Sequence, residues 1–225
     1  MKDCADCVIR SRAVKTLNTD EFNIHRNNCA ELELKPGESI FKEGQLSSHI
    51  AYLKSGLAKI HKKGAKNNDQ ILKIVKPSRY IGLQSIISNK VHLYSASVIV
   101  PSRVCYVDIN TFKELITRNA NFANELLVYL CEDEMSYFDR FVNVHQKQIN
   151  GRLADSILFF ANEVYTSNEF SIPLSRTDLA ALICSTRESV IRSLKELTEV
   201  GAIKVKGKKF NLLNKTLLES ISQKG

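Results

Sequence analysis

The sequence lacks any long hydrophobic run, since no stretch approaches the roughly 18–20 consecutive apolar residues that span a bilayer. Its first seven residues, MKDCADC, include three charged side chains and lack the apolar core of a secretory signal peptide. We therefore expect a cytoplasmic protein with no membrane partner. Glycine-rich phosphate loops and the nucleophile elbow of hydrolases are also missing, and the five histidines show no metal-ligand spacing. These absences argue against an enzyme.

The composition is that of an ordinary globular protein. The chain has 225 residues, of which 44% are hydrophobic and 25% are charged, and this length suits one large domain or two modest ones. A chain of this size can bury a core without help from a disulfide or a metal. The six cysteines of a cytoplasmic protein are therefore interpreted first as thiols, ligands or redox groups.

The basic charge is concentrated near the C-terminus. The chain has 32 basic and 24 acidic residues, a net charge of +8. Residues 171–225 contain ten basic and five acidic side chains, and residues 201–215 contain five lysines and no acidic residue. Clustered positive charge favours an anionic partner such as nucleic acid. The last quarter of the chain is therefore the candidate binding region.

Residues 30–110 predict an all-β domain. Short runs rich in Ile, Val, Leu and Tyr alternate there with turn residues such as Pro, Gly and Asn. Strands spaced by roughly 8–12 residues are typical of an antiparallel sandwich or barrel. The predicted strands cover residues 32–34, 39–41, 50–53, 57–60, 71–75, 95–100 and 104–109.

A long amphipathic helix is predicted next. Residues 120–144 contain no glycine or proline, and their apolar residues recur near one face. An apolar stripe of this width suits packing on its own domain or against a second copy of the chain. We expect self-pairing, with a dimer face formed by Leu126, Leu130, Tyr137 and Phe141.

Residues 175–198 predict two short helices joined by a tight turn. Ser175 and Asp178 have the spacing of a capping box, in which each side chain accepts a hydrogen bond from the backbone N–H of the other residue. Ser185 and Glu188 repeat that spacing after the turn and are expected to start the second helix.

A basic hairpin is predicted after the second helix. Gly201 suits the position that follows a helix C-terminus. The segment AIKVKGKKF at residues 202–210 alternates apolar and lysine side chains around Gly207, which is typical of a β-hairpin. Two short helices followed by such a hairpin are typical of a winged helix-turn-helix, which binds DNA.

The outward face of the second helix predicts base readout. Arginine can bridge guanine O6 and N7, and glutamate can accept from cytosine N4, so we assign base reading to Arg187, Glu188 and Arg192. The competing interpretation makes Glu188 and Arg192 a solvated i,i+4 ion pair. Hydroxyls at helix N-termini and lysines suit phosphates. The predicted DNA-backbone contacts are Ser175, Thr177, Ser185, Thr186, Lys204, Lys206, Lys208 and Lys209.

Four segments resemble one known family, the Crp/Fnr superfamily of the catabolite activator and the fumarate-nitrate regulator. They are LKPGESIFKEG at 34–44, YLKSG at 52–56, TRESVIR at 186–192 and KGK at 206–208. The resemblance implies an α+β fold with an N-terminal antiparallel, jelly-roll-like β-roll that is cyclic-nucleotide-binding-like, a long dimerisation helix and a C-terminal winged helix-turn-helix. The expected ranges are 1–118 for the N-terminal segment and sensor roll, 119–146 for the helix and hinge, and 147–225 for the DNA-binding domain.

The resemblance also implies a sequence-specific transcription regulator. It implies a homodimer that binds a pseudo-palindromic site on double-stranded DNA and contacts RNA polymerase. An effector or redox signal in the roll would reposition two recognition helices in the major groove, with Arg187, Glu188 and Arg192 as the family's base-reading set. The alternative is a redox or ligand sensor that acts through protein contacts with little DNA readout.

The cyclic-nucleotide-binding branch of the family has Gly-Glu in the roll, followed later by Arg-Ser or Arg-Thr. Here Leu83 replaces the glutamate and Tyr94 replaces the arginine. A buried cyclic phosphate without its arginine would be poorly compensated, so we expect no cyclic AMP binding, although Arg79 or Arg103 is left open as a substitute. The corresponding effector pocket comprises Gly82, Leu83, Tyr94 and Ser95.

The oxygen-sensing branch holds an iron–sulfur cluster with three N-terminal cysteines and one in the roll. The third N-terminal cysteine of that pattern is missing here. Three interpretations stay open: an iron–sulfur cluster or metal, a thiol redox switch, or buried packing residues together with exposed terminal thiols. The candidate ligands are Cys4, Cys7, Cys29 and Cys105, whereas Cys131 and Cys184 are expected to be packing residues.

Overall fold

The computed structural model describes residues 10–64, 69–88 and 91–225. Internal contacts divide the described chain into two units. The first comprises residues 10–64 and Leu72–Glu134, and the second comprises Asp69–Ile71 and Met135–Gly225. The division between Glu134 and Met135 falls inside a single long helix.

The first unit is built mainly of strands. They are β1 (Cys29–Leu34), β2 (Ser39–Phe41), β3 (His49–Ser55), β4 (Ala58–Lys63), β5 (Asp69–Val75), β6 (Arg79–Ile81), β7 (Ser95–Val98) and β8 (Ser102–Asp108). The first three residues of β5 are counted with the second unit. The helical elements are a 3-10 turn (Val14–Thr16), α1 (Thr19–Asn27), α2 (Leu83–Ser88), α3 (Ile109–Arg118) and the first half of α4 (Ala120–Gln146).

Two four-stranded sheets form the roll, with strand orders β1-β8-β3-β6 and β2-β7-β4-β5. The pairs β1–β8, β3–β8, β3–β6, β2–β7 and β4–β7 are antiparallel. Except for β4 and β5, neighbouring strands of a sheet are not consecutive in the chain, as in a jelly roll. The predicted antiparallel roll is confirmed: each of its predicted strands overlaps an observed one, and of the eight roll strands described only β6 lacks a predicted counterpart.

Strand β3 is buried on both of its faces. Ile50 and Tyr52 point into an apolar cluster that also contains Phe112 and Phe122, whereas Leu53 points into a second cluster shared with β2, β4 and β7. Successive side chains of a strand face opposite sides of the sheet. The apolar run in β3 therefore supplies both halves of the core, which explains why this segment does not alternate between apolar and polar residues.

The N-terminal half of α4 packs on the first unit. Phe122, Leu126 and Tyr129 are at most 5% exposed and lie in the first apolar cluster, and Leu130 packs partly against it. The prediction that Leu126 forms a dimer face is therefore wrong, because its own domain already buries that side chain. Farther along the helix, Tyr137 is half-buried and Phe141 is exposed.

The second unit is a winged helix-turn-helix, as predicted. It continues with α5 (Ile149–Phe159), a π-helical turn (Phe160–Tyr165), β9 (Glu169–Ser171), α6 (Arg176–Leu182), α7 (Arg187–Glu199), β10 (Ile203–Lys206), β11 (Lys209–Leu212) and α8 (Lys215–Lys224). β11 pairs with both β10 and β9, so the predicted hairpin is part of a three-stranded sheet. None of the helices within the described ranges combines the length and apolar content that a bilayer crossing requires.

The start of α7 differs from the prediction by one residue. Thr186 is the N-cap, with its hydroxyl accepting from the backbone N–H of Ser189 at 3.2 Å. Ser185 still belongs to the turn, since its N–H donates to the carbonyl of Ala180 at 2.9 Å. The predicted Ser185 capping box is therefore wrong, because Cys184 adopts a left-handed conformation (φ 54°) that delays the helix.

The predictions for two cysteines are also wrong. Cys131 and Cys184 are both exposed, although the sequence analysis treats them as packing residues. Cys131 lies on the surface of α4, and Cys184 lies in the turn between α6 and α7. Neither side chain is part of an apolar core.

Candidate nucleic-acid interface

Helix α7 separates its apolar and charged residues. Val190, Leu194 and Leu197 are buried against the rest of the second unit, whereas the predicted base-reading residues Arg187, Glu188 and Arg192 are all exposed. The side chain of Glu188 is 78% exposed, and its carboxylate lies 3.9 Å from the guanidinium of Arg187 rather than pairing with Arg192. The first two turns of α7 therefore present three charged side chains of the kind that read base edges.

The flank of α7 is fastened to the start of α5. The Asn150 side chain donates to the carboxylate of Glu196 at 2.8 Å and accepts from the hydroxyl of Ser193. Ser193 is only 2% exposed and its bond with Asn150 is partly buried, whereas the bond between Asn150 and Glu196 is exposed. The two bonds join α7 to α5 on the flank of α7 that includes Arg192.

Two arginines hold the turn between α6 and α7. Arg140 donates to the carbonyl of Leu182 at 2.6 Å, and Arg152 donates to the carbonyls of Ile183 and Cys184 at 3.0 and 3.2 Å. These carbonyls belong to the end of α6 (Leu182), its C-cap (Ile183) and the turn (Cys184), where a helix leaves its carbonyls without partners of its own. Sequence reasoning missed both arginines, because the contacts join residues more than 30 positions apart.

The hairpin of β10 and β11, which we call the wing, exposes four lysines. Lys204, Lys206, Lys208 and Lys209 are all exposed. Gly207 turns the hairpin with φ 61°, and the ammonium of Lys208 donates to the carbonyl of Pro173 at 3.0 Å. Three of the predicted phosphate-contacting lysines thus extend into solvent, and the fourth also bonds its own unit.

Arg176 anchors the wing to α6 and was also missed. Its Nη2 donates to the carbonyl of Gly207 at 2.7 Å, and its guanidinium lies 5.6 Å from the ring centre of Phe210. Burial lowers the pKa of Arg176 below its ordinary value, although arginine stays charged in proteins. A basic residue at the first position of α6 is the only sequence signal that pointed to this contact.

The hydroxyl groups predicted to contact the DNA backbone differ in exposure and in whether they already form hydrogen bonds. Ser175 caps α6, accepting from the N–H of Asp178 at 3.0 Å and donating to its carboxylate at 2.6 Å. Its hydroxyl is therefore already engaged, as is that of Thr186 at the start of α7. Thr177 is exposed and Ser185 is half-buried.

The two units match two known domain families in the expected order. Residues 31–119 match the family described as the cyclic nucleotide-binding domain, and residues 151–221 match the Crp-like helix-turn-helix domain. The chain belongs to the Crp/Fnr family. It is therefore a DNA-binding transcription regulator, and α7 occupies the position of the recognition helix in a helix-turn-helix.

Relatives of this Crp/Fnr regulator cover nearly its whole length. The fumarate and nitrate reduction regulatory protein of Yersinia pestis is 24% identical over 97% of this chain and 90% of its own length. The electron transport regulator A of Shewanella oneidensis is 25% identical over 91% of this chain and 84% of its own length.

Solved structures share the fold of the regulator. FixK2 of Bradyrhizobium japonicum superposes with a TM-score of 0.78 at 20% identity, over 86% of this chain and 96% of its own. A CRP-family transcriptional regulator of Thermus thermophilus gives 0.74 at 18% identity, over 85% and 96% of the two chains. These similarities establish the architecture of the Crp/Fnr chain, not its ligand.

The predicted effector-pocket residues of the regulator contact side chains and backbone of the roll. Leu83 is buried in the first apolar cluster, and the Tyr94 hydroxyl donates to Gln84 at 2.9 Å. The rings of Phe41 and His92 stack with centroids 3.7 Å apart, and a Cβ on Gly82 would lie 3.3 Å from the Phe41 ring. Ser95 accepts from the N–H of Glu43 at 3.0 Å.

These four predicted pocket residues do not fit a cyclic nucleotide. They include no cation for the phosphate and no carboxylate for the ribose hydroxyl. The pair left open as substitutes is already engaged: Arg79 donates to Glu132 at 2.6 Å, and Arg103 lies 3.6 Å from Glu31. These four residues therefore lack the cation and the carboxylate that the nucleotide-binding branch of the family uses.

Two of the four candidate cysteine ligands lie together in the first unit. Cys29 pairs with Val107, and Glu31 pairs with Cys105, across β1 and β8, so both thiols are on the same face of the sheet. They line a cavity of about 40 Å³ together with Arg10. The predicted ligands Cys4 and Cys7 lie outside the described residues.

The surroundings of Cys105 favour its thiolate form. A hydrogen bond with Cys29 and the positive charge of Lys54 lower the pKa of Cys105, and burial only partly opposes them. Burial also lowers the pKa of the neighbouring His25 to about 4, which keeps its imidazole neutral. Within residues 10–64, 69–88 and 91–225, no three His, Cys, Asp or Glu side chains are grouped to hold a metal ion.

Proposed function

We propose that this Crp/Fnr regulator is a homodimer that reads a pseudo-palindromic site on double-stranded DNA in the cytoplasm. The observation that supports base reading is the placement of Arg187, Glu188 and Arg192 on the exposed first turns of α7. The wing lysines at 204, 206, 208 and 209 and the helix starts at Ser175, Thr177, Ser185 and Thr186 would contact phosphates.

A second copy of the chain is the proposed partner of α4. Exposed apolar side chains recur along this helix at spacings of three and four residues, which suits helix pairing. Clustered apolar exposure of this kind marks interaction surfaces. The dimer stripe that we propose therefore consists of Leu127, Met135, Phe138, Phe141 and Val142. It keeps Phe141 of the predicted face and omits Leu126, Leu130 and the half-buried Tyr137.

The proposed domain limits remain 1–118, 119–146 and 147–225, and RNA polymerase remains the proposed protein partner. The first half of α4 packs in an intramolecular core, and its second half exposes Phe138 and Phe141, which the proposed dimer would cover. A signal in the roll would act on the orientation of two α7 helices through paired α4 helices.

The signal is proposed to be sensed by cysteines. Cys29 and Cys105, which share one face of the sheet, would hold an iron–sulfur cluster together with Cys4 and Cys7. The lowered pKa of Cys105 favours the thiolate, which is the form of cysteine that binds metals. A bound cluster would supply oxygen- or redox-dependent chemistry to the roll. The alternative function of the same cavity is a metal-free redox switch, in which Cys29 and Cys105 form and break a disulfide.

An absorption spectrum of anaerobically purified protein separates these signals. A cluster gives a broad visible band that Cys105→Ala removes and Cys131→Ala, at an exposed cysteine outside the cavity, leaves intact. A colourless, metal-free protein whose free thiols decrease by two on oxidation supports the redox switch. A colourless protein with unchanged thiols would reject both.

Selection of binding sites from a random DNA pool tests the regulatory function. The proposal predicts enrichment of a two-fold symmetric sequence with half-sites about one helical turn apart, and affinity that falls steeply with salt. Recovery of unrelated sequences with salt-insensitive binding would favour the alternative, a sensor that acts through protein contacts.

A further inference from the structure

Helix α7 exposes one branched apolar side chain that has no function in its own domain. Ile191 is 44% exposed, whereas its apolar neighbours Val190, Leu194 and Leu197 are at most 6% exposed and form the contact with the domain core. A scattered exposed apolar residue is common on protein surfaces. The position of Ile191 on this particular helix makes it informative.

Ile191 lies within the proposed base-reading segment. It follows Glu188 by three residues and Arg187 by four, and residues at these spacings have Cβ atoms about 5–6 Å apart on a helix. Around the helix Ile191 lies between Arg187 and Glu188, whereas Arg192 is about 100° away, on the side nearer the contact of Glu196 with α5. Ile191 therefore shares the surface that meets the groove.

We infer that Ile191 packs against the 5-methyl group of a thymine in the major groove, which makes it a specificity-determining residue of this regulator. The inference rests on the proposed function of α7 as a base-reading helix. The thymine methyl is the apolar group that base pairs offer in the major groove. The charged side chains of Arg187, Glu188 and Arg192 cannot recognise it by hydrogen bonding.

The same contact discriminates against the other bases. Cytosine presents an N4 amino donor and guanine presents O6 and N7 acceptors in the major groove. An isoleucine side chain would remove water from such a group without replacing its hydrogen bond, which is unfavourable. Ile191 thus adds a preference for thymine beside positions that Arg187 or Glu188 read through hydrogen bonds.

Removal of single thymine methyl groups tests this inference. A site selected by the full-length protein is synthesised with deoxyuridine in place of one thymine pair at a time, and binding is measured by fluorescence anisotropy. We expect one symmetric pair of thymines at which deoxyuridine weakens the wild-type complex by about fourfold per half-site, which corresponds to roughly 0.8 kcal/mol for one buried methyl.

Variants assign that effect to one side chain. Ile191→Ala should bind the thymine and deoxyuridine sites equally at this pair. Val200→Ala, which shortens an exposed apolar residue at the far end of α7, should retain the fourfold difference. Both variants keep or improve helix propensity, so their folding can be verified by thermal unfolding before binding is measured.

Each outcome has a distinct meaning. If the wild-type protein selects a symmetric site but Ile191→Ala keeps every deoxyuridine effect, the inference is overturned and the proposed function stands. If the wild-type protein selects no sequence, the proposed function fails and the inference fails with it. Loss of the deoxyuridine effect in Ile191→Ala alone supports the contact.

Discussion

The guanidinium of Arg12 donates to Oε1 of Glu132 at 2.8 Å, joining the N-terminal segment to helix α4 across 120 residues of sequence. Arg79 donates to the other carboxylate oxygen at 2.6 Å, and both guanidinium groups lie over the ring of Tyr129. The two hydrogen bonds lower the pKa of Glu132 below its ordinary value. The segment that follows Cys4 and Cys7 is thereby attached to the proposed dimer helix.

A double-mutant cycle with Arg12→Ala and Glu132→Ala should give a small, salt-sensitive coupling. Both side chains are more than a third exposed, so we expect about 0.5–1 kcal/mol at low ionic strength and less at high salt. Urea unfolding of the four proteins at two salt concentrations measures it. A coupling that does not change with salt would contradict an exposed ion pair.

Asp108→Ala should destabilise the roll in a pH-dependent way. Oδ1 of Asp108 accepts from the N–H groups of Asn110 and Thr111, each at 2.9 Å, and caps α3. We expect the free energy of unfolding to fall by about 1 kcal/mol at pH 7. Backbone hydrogen bonds, that of Thr111 first, lower the pKa of Asp108 from its ordinary 3.8.

The direction of that pH dependence follows from the lowered pKa. The folded state favours the carboxylate, so its contribution is complete above pH 3.8 and is lost as the pH falls through the folded value. Chemical unfolding between pH 7 and pH 2 should show the Ala variant and the wild type converging in acid. Asp108→Asn keeps the acceptor without the charge, and it should lose less stability than Asp108→Ala at pH 7.

Arg192→Ala and Lys206→Ala should weaken DNA binding in different ways. Loss of a base-reading arginine should cost about 1–3 kcal/mol on the preferred sequence and relax the preference at one position. Loss of a phosphate-contacting lysine should weaken all sequences alike and reduce the salt slope by about one. Titrations on the selected site and a scrambled site test both. Equal losses on both DNAs for the two variants would refute the assignment of roles.

Phe138→Glu should convert the dimer to a monomer. The substitution introduces two like charges into the proposed apolar contact, at a cost of several kcal/mol. Sedimentation velocity measures the oligomeric state. Leu46→Glu is the matched control, because Leu46 is 76% exposed in a loop of the roll and should leave the dimer intact. A dimer that persists in Phe138→Glu would show that α4 does not join the subunits through this stripe.

Local sequence patterns predicted the helices and strands better than they predicted what those elements pack against. The capping box at Ser175 and the Gly207 hairpin depend on residues close in sequence, and both are present. The cap at Thr186 was missed because a left-handed cysteine is rare and leaves no signature in the sequence. An amphipathic stripe shows that Leu126 is buried, but it cannot tell whether its own domain or a second chain buries it.

The partners of long-range hydrogen bonds could not be predicted from the sequence. Arg140 and Arg152 bind carbonyls of the turn before α7, and such a carbonyl exists at every residue, so residue type does not identify the partner. The effector pocket shows the opposite case. The replacement of the binding residues by Leu83 and Tyr94 could be recognised from the sequence, because binding a cyclic nucleotide requires particular residue types.

The bond between Arg176 and the carbonyl of Gly207 makes the wing an element of fixed length. Lys204 and Lys206 alternate with the inward-facing Ile203 and Val205, so one inserted residue would turn the lysines inward and the apolar side chains outward. The same insertion would displace the carbonyl from its arginine. Adaptation of this wing to a new DNA site is therefore confined to exchanging side chains, whereas lengthening the loop would separate its charges from the recognition helix that they accompany.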